Sequence, residues 1–356
     1  MAPSRELDLA IRCCRFTFAD GKAPPACAIA KLDWPRFLRL VRFHRIQGLA
    51  WAALSGAADR LPDNVSEALA ADASAIAADS LRATVDSRVM LEDFDRAGIP
   101  LLFVKGLTLG ALAYENPSIK AAVDIDILVA EAQVVEAGEL LEERGYSLHI
   151  PQGRRDADGL RSWHRRRKES VWVKPGSQID LHTRLSDTPQ LIPSLGVKSP
   201  RQLVEVAGGI SIPTLQTEEL VAYLSVHGAW SAWFRLKWIA DFAALLHGRT
   251  GSELEQLYRR SQELGAGRCS AQAMLVADAL FDLLAPAPDL RRELHAVRTH
   301  RWLCGAALRQ VAGKAEPIEP TSRPFGTALI HLSEFALLPG LKPKFSEFVR
   351  QVRAAI

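Results

Sequence analysis

The sequence predicts an α+β fold in which a small mixed β-sheet with its own helices is flanked by helical regions on both sides. Two observations predict it. Apolar residues recur at helical spacing in the first part of the chain and again in the last part. Between these parts, short apolar runs of strand length alternate with short helical segments. We therefore expect an N-terminal helical region over residues 1–97, a sheet-containing core over residues 98–212 and a C-terminal helical domain over residues 213–356.

Two helices are predicted in the N-terminal region. The first covers residues 33–54 and has Asp33 at its N-cap, where a short acidic side chain is favoured. The second covers residues 64–96 and ends before Gly98, because glycine is common just past the end of a helix. His44 lies in the first helix without a second metal-ligating residue at a suitable spacing, so we expect a structural histidine there.

The core is predicted to contain five strands. They are expected at residues 99–104, 123–129, 146–150, 170–174 and 178–182. Helices are expected at residues 107–114 and 131–144, and a polar, arginine-rich loop precedes the last two strands. Those two strands flank Pro175-Gly176, a dipeptide that is typical of a turn. The order strand, helix, strand, helix, strand, hairpin predicts a mixed sheet.

The C-terminal domain is predicted to be helical throughout. Its first four helices are expected at residues 217–230, 233–247, 252–264 and 269–284. Ser252 and Glu255 have the spacing of a capping box at the start of the third helix. Further helices are expected toward the carboxyl end.

The composition argues against several classes of protein. No apolar run reaches the length of about 18 residues that a membrane-spanning helix needs, and acidic residues interrupt the region where a signal peptide would be apolar. The five cysteines lack the paired spacing of a zinc site or a disulfide framework. The net charge of +3 is too small to indicate nucleic-acid binding. We therefore expect a soluble cytoplasmic protein that binds neither membranes nor nucleic acids.

One segment of the core is strongly basic. Arg161–Lys168 is rich in arginine, and Arg154 and Arg155 precede it. A charge block of this kind is most often a solvated surface. The functional alternative is a basic surface segment that faces a triphosphate or an acidic acceptor. The segment is too short for the extended basic track that a nucleic-acid polymerase or ligase needs.

Two aspartates on one predicted strand indicate a metal site. Asp124 and Asp126 alternate with apolar residues, so both side chains lie on the same face of the strand. Two neighbouring anions on an apolar strand are costly unless a cation lies between them, and Mg²⁺ prefers such oxygen ligands. By itself this spacing is a weak motif. Replacing Asp124 or Asp126 with asparagine is expected to abolish turnover and to leave folding intact or improved, because a buried anion is removed.

A third aspartate strengthens this interpretation. Asp180 also lies among apolar residues, on the second strand of the predicted hairpin. If that strand lies beside the strand of Asp124 and Asp126, the three carboxylates meet on one patch of the sheet. Such an arrangement suits phosphoryl transfer with two divalent ions. Asp180 is then the metal ligand and proton acceptor nearest the acceptor hydroxyl.

The junction at Lys105-Gly106-Leu107-Thr108 has the features of a phosphate site. Glycine permits close approach of the backbone, and the N–H groups at a helix start attract phosphate. Lys105 can neutralise triphosphate charge as a point cation. The alternative is a simple helix start without a ligand.

These residues form part of a longer pattern that resembles a known family. The pattern comprises Lys105-Gly106, Tyr114, Lys120, Asp124–Val129 and Ile179–His182, and in weaker form Asp33-Trp34, His44-Arg45, His227, Trp230, Arg235–Trp238 and Asp241. It resembles the bacterial uncharacterised nucleotidyltransferase family of the polymerase-beta-like superfamily. The resemblance covers roughly residues 30 to 250, and the acidic core is its specific part.

The resemblance implies metal-dependent transfer. Asp124, Asp126 and Asp180 would be the catalytic metal ligands for Mg²⁺ or Mn²⁺, and Gly106 would lie at the phosphate. Leu107 stands where a serine is usual, so the hydroxyl contact would fall to Thr108. Lys120 stands where arginine is common and would contact phosphate without the bidentate geometry of arginine.

A second group of candidate binding residues lies in the helical segment. Arg235 and Lys237 are expected either to touch base, phosphate or acceptor, or to belong to an aromatic-rich core. His182 is expected to orient Asp180 or a bound water rather than to act as a catalytic residue.

The resulting hypothesis is an enzyme that moves a nucleotidyl group from a nucleoside triphosphate, ATP among them, to a hydroxyl or phosphate of a small molecule, peptide or protein. One alternative keeps the fold and the metals but uses a nucleotide-sugar donor, as in peptide tailoring. Another is a non-catalytic nucleotide-sensing or antitoxin-like binding module. The complete acidic triad argues against the latter, because binding alone does not need three converging anions.

Overall fold

A computed structural model of the protein describes residues 3–19, 32–120, 124–153, 156–312, 319–322 and 326–355. The chain forms two compact units: residues 73–220, and residues 1–72 together with 221–356. The three-part division into residues 1–97, 98–212 and 213–356 stays a prediction. Among the described helices, none combines the length and the apolar character that crossing a membrane requires.

The described elements confirm the predicted α+β class. The strands are β1 (Leu102–Phe103), β2 (Ile125–Leu128), β3 (Ser147–Ile150), β4 (Glu169–Lys174), β5 (Ser177–His182), β6 (Arg201–Ala207) and β7 (Ile210–Leu215). The helices are α1 (Arg5–Phe16), α2 (Trp34–Phe43), α3 (Gln47–Leu54), α4 (Asp63–Arg96), α5 (Leu107–Tyr114), α6 (Val134–Glu143), α7 (Ala157–Arg166), α8 (Thr217–Trp230), α9 (Leu236–Leu246), α10 (Gly251–Glu263), α11 (Gly267–Phe281), α12 (Pro288–Ala296), α13 (Arg298–Ala312), α14 (Ala328–Leu337) and α15 (Leu341–Ala355).

The main sheet is mixed, as predicted. Its strand order is β1-β2-β5-β4-β3. β2 and β5 run parallel, and the other neighbours are antiparallel. The register places Asp126 directly beside Asp180. The predicted hairpin is therefore present, and its second strand lies next to the strand that carries the acidic pair.

One face of this sheet is covered by the core of the smaller unit. The alternate residues of β2 and β5 that point to this face are apolar and almost fully buried, and they pack with side chains of α4 and α6 and with Trp172. Asp126 and Asp180 lie between these residues in the chain, so they point to the opposite face. The apolar face fixes the register, because a shift by one residue would bury the acids in the core.

Two features of the smaller unit differ from the prediction. Residues 151–169 were expected to form a loop, but α7 lies within them. The Asp156 side chain caps this helix by accepting a hydrogen bond from the Gly159 N–H at 2.8 Å. Leu160 is buried on one face of the helix. Arg154 and Arg155 lie outside the described residues. A second hairpin, β6–β7, was not predicted, and its second strand contains Pro213. A two-stranded sheet tolerates proline since each strand has an unpaired edge.

Local backbone chemistry explains the differences in the larger unit. The predicted helix over residues 33–54 is two helices, because Arg45 takes a left-handed conformation with φ of 56° between α2 and α3. Asp33 caps α2, as predicted, and accepts from the Arg36 N–H at 2.9 Å. The capping box predicted at Ser252 and Glu255 is wrong: the box that starts α10 is formed by Thr250 and Glu253.

His44 joins two helices of the larger unit. Its Nδ1 accepts a hydrogen bond from the backbone N–H of Leu236, the first residue of α9, at 3.1 Å. The side chain is buried, and burial together with the charge of Arg235 lowers the pKa of His44 to about 3. The neutral imidazole therefore satisfies a backbone donor at a helix start, and the predicted structural role is consistent with this contact.

Acidification should weaken this contact. The pKa of His44 is lower in the folded protein than in the unfolded chain, so its stability contribution is complete above about pH 6.5 and is lost as the pH falls toward about 3. Between about pH 7 and about pH 5, the wild type should lose about 2 kcal/mol of unfolding free energy relative to His44→Asn, which does not titrate. Urea unfolding of both proteins at the two pH values measures this. A difference that does not change with pH would contradict a neutral, buried His44.

Candidate functional site

Three potential ligand groups meet on the polar face of the sheet. Asp126 lies on β2, and Asp180 and His182 lie on β5. All three are buried, and one ligand atom from each lies within 4.8 Å of those of the other two. Parallel pairing of β2 with β5 creates this group, since it aligns Asp126 with Asp180.

Asp126 is the most enclosed member of the group. Its Oδ1 accepts from Lys105 Nζ at 2.8 Å and lies 2.9 Å from His182 Nε2. Burial alone would raise the pKa of this carboxyl, but the charge of Lys105 and the contacts with His182 outweigh it and hold the pKa well below its ordinary value. Its Oδ2 is buried without a hydrogen-bond partner. An ionised carboxylate with one unsatisfied buried oxygen fits a metal ligand.

The pKa of Asp180 is shifted in the opposite direction from that of Asp126. Burial is the largest cause, and the negative charges of Asp126 and Asp124 add to it. Together they raise the pKa of Asp180 to about 7. The Gln178 side chain donates to Asp180 Oδ1 at 3.0 Å and opposes this effect. The fold thus holds more negative charge near Asp180 than Lys105 neutralises. A divalent cation would restore the balance.

His182 is closer to the acidic group than the sequence suggested. It was expected to orient Asp180 or a water, but its ring lies among the possible ligands themselves. Its Nδ1 is 3.3 Å from Glu169 Oε2, although the two do not have hydrogen-bond geometry. Asp180 and His182 are two residues apart on one strand, and this spacing was the available signal that they share a face.

A buried histidine connects α7 to the strands behind the site. The Nδ1 atom of His164 lies 3.0 Å from Thr183 Oγ1, and its Nε2 atom lies 3.0 Å from Ser170 Oγ. Burial, with the charges of His182 and Arg184, lowers the pKa of His164 to about 4, so the ring stays neutral. These two contacts connect α7 to the ends of β4 and β5, where Glu169 and His182 lie.

The predicted phosphate junction lies beside β2. Gly106 precedes α5 with φ of 72° and ψ of −118°, a conformation open to glycine. A Cβ on Gly106 would meet the Asp124 carbonyl oxygen at 3.8 Å, an ordinary contact. Thr108 is fully buried, and its hydroxyl lies 3.4 Å from the Lys105 carbonyl and 3.5 Å from the Thr214 hydroxyl. Its contact with phosphate stays a prediction.

Replacing Gly106 with alanine should destabilise the protein through backbone strain rather than through a clash. An L-residue at this φ and ψ costs about 1–3 kcal/mol, and the nearest atom leaves room for the methyl group. Chemical denaturation measures the loss. The matched control is Gly56→Ala, because a Cβ there meets no atom within 4 Å and the glycine has no positive φ. Equal effects of the two substitutions would argue against strain at Gly106.

The remaining core candidates lie at the edges of the acidic group. Asp124 stands just before β2, outside the three-residue group, but its charge reaches Asp180. Lys120 is buried at the end of a short 3₁₀ turn, Pro117–Ile119. The structure thus brings Asp126 and Asp180 together with Lys105. The roles of Asp124 and Lys120 toward metal and phosphate stay predictions.

Arg235 and Lys237 belong to the larger unit. Arg235 donates to the Phe43 carbonyl oxygen and pairs with Glu319. Its guanidinium also lies 4.5 Å from the centre of the Phe43 ring. These contacts connect α2 with the start of α9, which favours the packing interpretation for Arg235. Contacts of Arg235 and Lys237 with a nucleotide stay predictions.

The donor set fits a divalent metal ion. Carboxylate oxygens suit Mg²⁺ and Mn²⁺, and an imidazole is more compatible with Mn²⁺ than with Mg²⁺. The unpartnered Oδ2 of Asp126 offers a free lone pair to such an ion. Lys105 already places one positive charge at Asp126, so a bound ion would share that carboxylate with the lysine.

Comparison with known proteins agrees with this geometry. A search of curated proteins finds no match. A family model described as uncharacterised nucleotidyltransferase matches residues 30–282. The match includes β1 to β7 and every residue of the acidic group. The chain therefore belongs to the uncharacterised nucleotidyltransferase family.

Proposed function

We propose that the protein is a metal-dependent nucleotidyltransferase that moves a nucleotidyl group from a nucleoside triphosphate to an acceptor hydroxyl. The observation that carries the proposal is that Asp126, Asp180 and His182 bring ligand atoms within 4.8 Å of one another, and that Asp126 Oδ2 is buried without a hydrogen-bond partner. A purely structural role does not account for such a group, because it leaves Asp180 repelled by its neighbours. Membership of the family supports the same reaction class.

Mg²⁺ or Mn²⁺ would be held by Asp126 and Asp180, with Asp124 and His182 as further candidate ligands. When bound, the ion supplies neutralising charge to the triphosphate and to the attacking oxygen. Gly106 lets the backbone approach the phosphates, and the N–H groups at the start of α5 add a favourable dipole. Lys105 places a second positive charge beside Asp126.

The proposed reaction is a single displacement. The acceptor oxygen forms a bond to the α-phosphorus, the bond from this phosphorus to the oxygen bridging the β-phosphate breaks, and pyrophosphate leaves. The proton of the acceptor hydroxyl passes to an oxygen of Asp180. The four described cysteines are buried free thiols, which is consistent with a reaction in the reducing cytoplasm.

Metal-dependent binding of nucleotide tests this proposal. The unfolding temperature should rise when a triphosphate and Mn²⁺ are added together and should rise less with either alone. ATP is the first triphosphate to test, followed by the other three. Release of pyrophosphate and labelling of an acceptor, followed by mass spectrometry, would then separate an enzyme from a binding module. A stability that does not respond to the metal in the presence of any triphosphate would overturn the proposal.

A nucleotide-sugar donor is distinguished in the same assay. Such a donor would place the sugar, rather than the nucleotide, on the acceptor, and the mass added to the product identifies which group moved.

A further inference from the structure

A cavity with several charged side chains in its lining lies beside the acidic group. Its volume is about 460 Å³, within the range of small-molecule sites. One face of α4 and the β4–β5 hairpin form its walls, and β2 contributes where it begins. The charged and amide side chains of its lining are Asp79, Arg82, Asp86, Asp124, Lys174 and Gln178.

Two of these residues connect the cavity to the site. Gln178 lines the cavity, and its side chain donates to Asp180 Oδ1 at 3.0 Å. Asp124 lines it as well, and its charge acts on Asp180. Gln178 therefore links the cavity lining to the Asp180 carboxylate, which is the proposed proton acceptor.

The cavity and the phosphate junction lie on different sides of the acidic group. The strand order is β1-β2-β5-β4, and Gly106 follows β1, whereas the cavity is lined from β4 and β5. In this row Asp124 lies between Gly106 and Gln178. A triphosphate at Gly106 and a second molecule in the cavity would thus lie on opposite sides of Asp124.

The charges of the lining restrict what the cavity can hold. Arg82 pairs with Asp79, and Lys174 pairs with Asp86 at 3.0 Å. Each basic group therefore has an acidic partner. Asp124 makes no ion pair with any of the described residues, so the lining has an excess of one negative charge. A phosphate or carboxylate on the ligand would find no unmatched cation here and would face that negative charge.

We propose that this cavity binds the acceptor, and that the acceptor is a small hydroxylated compound, uncharged or carrying an amine, without phosphate or carboxylate groups. This inference rests on the proposed nucleotidyl transfer and narrows its acceptor. Carboxylates, Ser177 and Gln178 in the lining accept hydrogen bonds from hydroxyl and ammonium groups. A volume of about 460 Å³ suits a small molecule rather than a folded protein.

The test fills the cavity without altering the acidic group. Ala83 lines the cavity on α4, whereas Ala78 lies on the exposed surface of the same helix. Ala83→Phe is the test variant, Ala78→Phe is its matched control, and Ala83→Leu gives a smaller filling. Wild type and variants receive an equal mixture of α-labelled triphosphates with Mn²⁺. The acceptor pool is the small-molecule filtrate of a lysate of the source organism, divided by ion exchange into anionic compounds and all others.

The expected result is label transfer to small molecules of the non-anionic fraction. Ala83→Phe should lower the transfer rate at least about tenfold, Ala83→Leu less, and Ala78→Phe should not change it. All variants should retain the rise in unfolding temperature with triphosphate and Mn²⁺.

Three results would overturn the inference while leaving the proposed function in place. They are transfer to anionic compounds alone, equal transfer by Ala83→Phe and Ala78→Phe, and no transfer to small molecules by a wild type that binds triphosphate with Mn²⁺. If Ala83→Phe loses its metal-dependent response, Ala83→Leu decides instead. A wild type without any metal-dependent response to triphosphate would overturn the proposed function itself.

Discussion

Replacing Asp180 with asparagine should abolish nucleotidyl transfer and, at the same time, make the metal-free protein more stable. Burial and the charges of Asp126 and Asp124 raise the pKa of Asp180 to about 7, so its ionised form is disfavoured in the fold. Because the folded pKa lies above that of the unfolded chain, ionisation costs stability as the pH rises toward 7, and the full cost is present above it. One pKa unit corresponds to about 1.4 kcal/mol, so the gain at about pH 8 is on the order of 2–4 kcal/mol.

Denaturation in the presence of a chelator measures this gain, and turnover measures the loss of function. Replacing a group that only supports a metal ligand lowers metal affinity or activity about 10–100-fold. Replacing Asp180 itself should lower activity by more than that. The matched control is Asp158→Asn, which removes a carboxylate from a side chain that is 73% exposed. The control should change neither the unfolding free energy nor the turnover. An Asp180→Asn variant that transfers nucleotide at the wild-type rate would remove Asp180 from the site.

The sheet and its acidic face could be largely predicted from local sequence. Alternation of apolar residues with Asp124, Asp126 and Asp180 indicates strands with one buried face, and the turn at Pro175-Gly176 indicates the hairpin. That the hairpin strand lies parallel to β2 is a property of the whole sheet. Local spacing could therefore suggest that the acids converge but could not establish it.

Other features depend on contacts that are distant in the chain. His182 joins the acidic group because β5 lies beside β2, and Glu169 reaches its ring because β4 lies beside β5. The cavity is formed where α4 approaches the hairpin, and no sequence pattern marks that approach. The helix α7 was missed for a different reason: its surface arginines concealed the short buried stripe of Leu160 and His164.

The structure also separates two aspartates that local sequence treats alike. From sequence, replacement of Asp126 was expected to leave folding intact or improved, because it removes a buried anion. Its environment predicts a different result. The positive charge of Lys105 at 2.8 Å, with the His182 contact, holds the pKa of Asp126 well below its ordinary value, so the fold favours the ionised form.

Asp126→Asn should therefore abolish transfer and also destabilise the metal-free protein. Removing one partner of a buried ion pair costs about 3–5 kcal/mol, and Asp126 is almost fully buried while Lys105 is about one-fifth exposed, so a loss near about 3 kcal/mol is expected. Chemical denaturation with chelator measures it. In a Lys105→Met background the loss should shrink, because the cation that needs Asp126 is gone. If Asp126→Asn and Asp180→Asn instead shift the unfolding free energy in the same direction, the two carboxylates have similar electrostatic environments. Lys105 would then not be what stabilises the ionised form of Asp126.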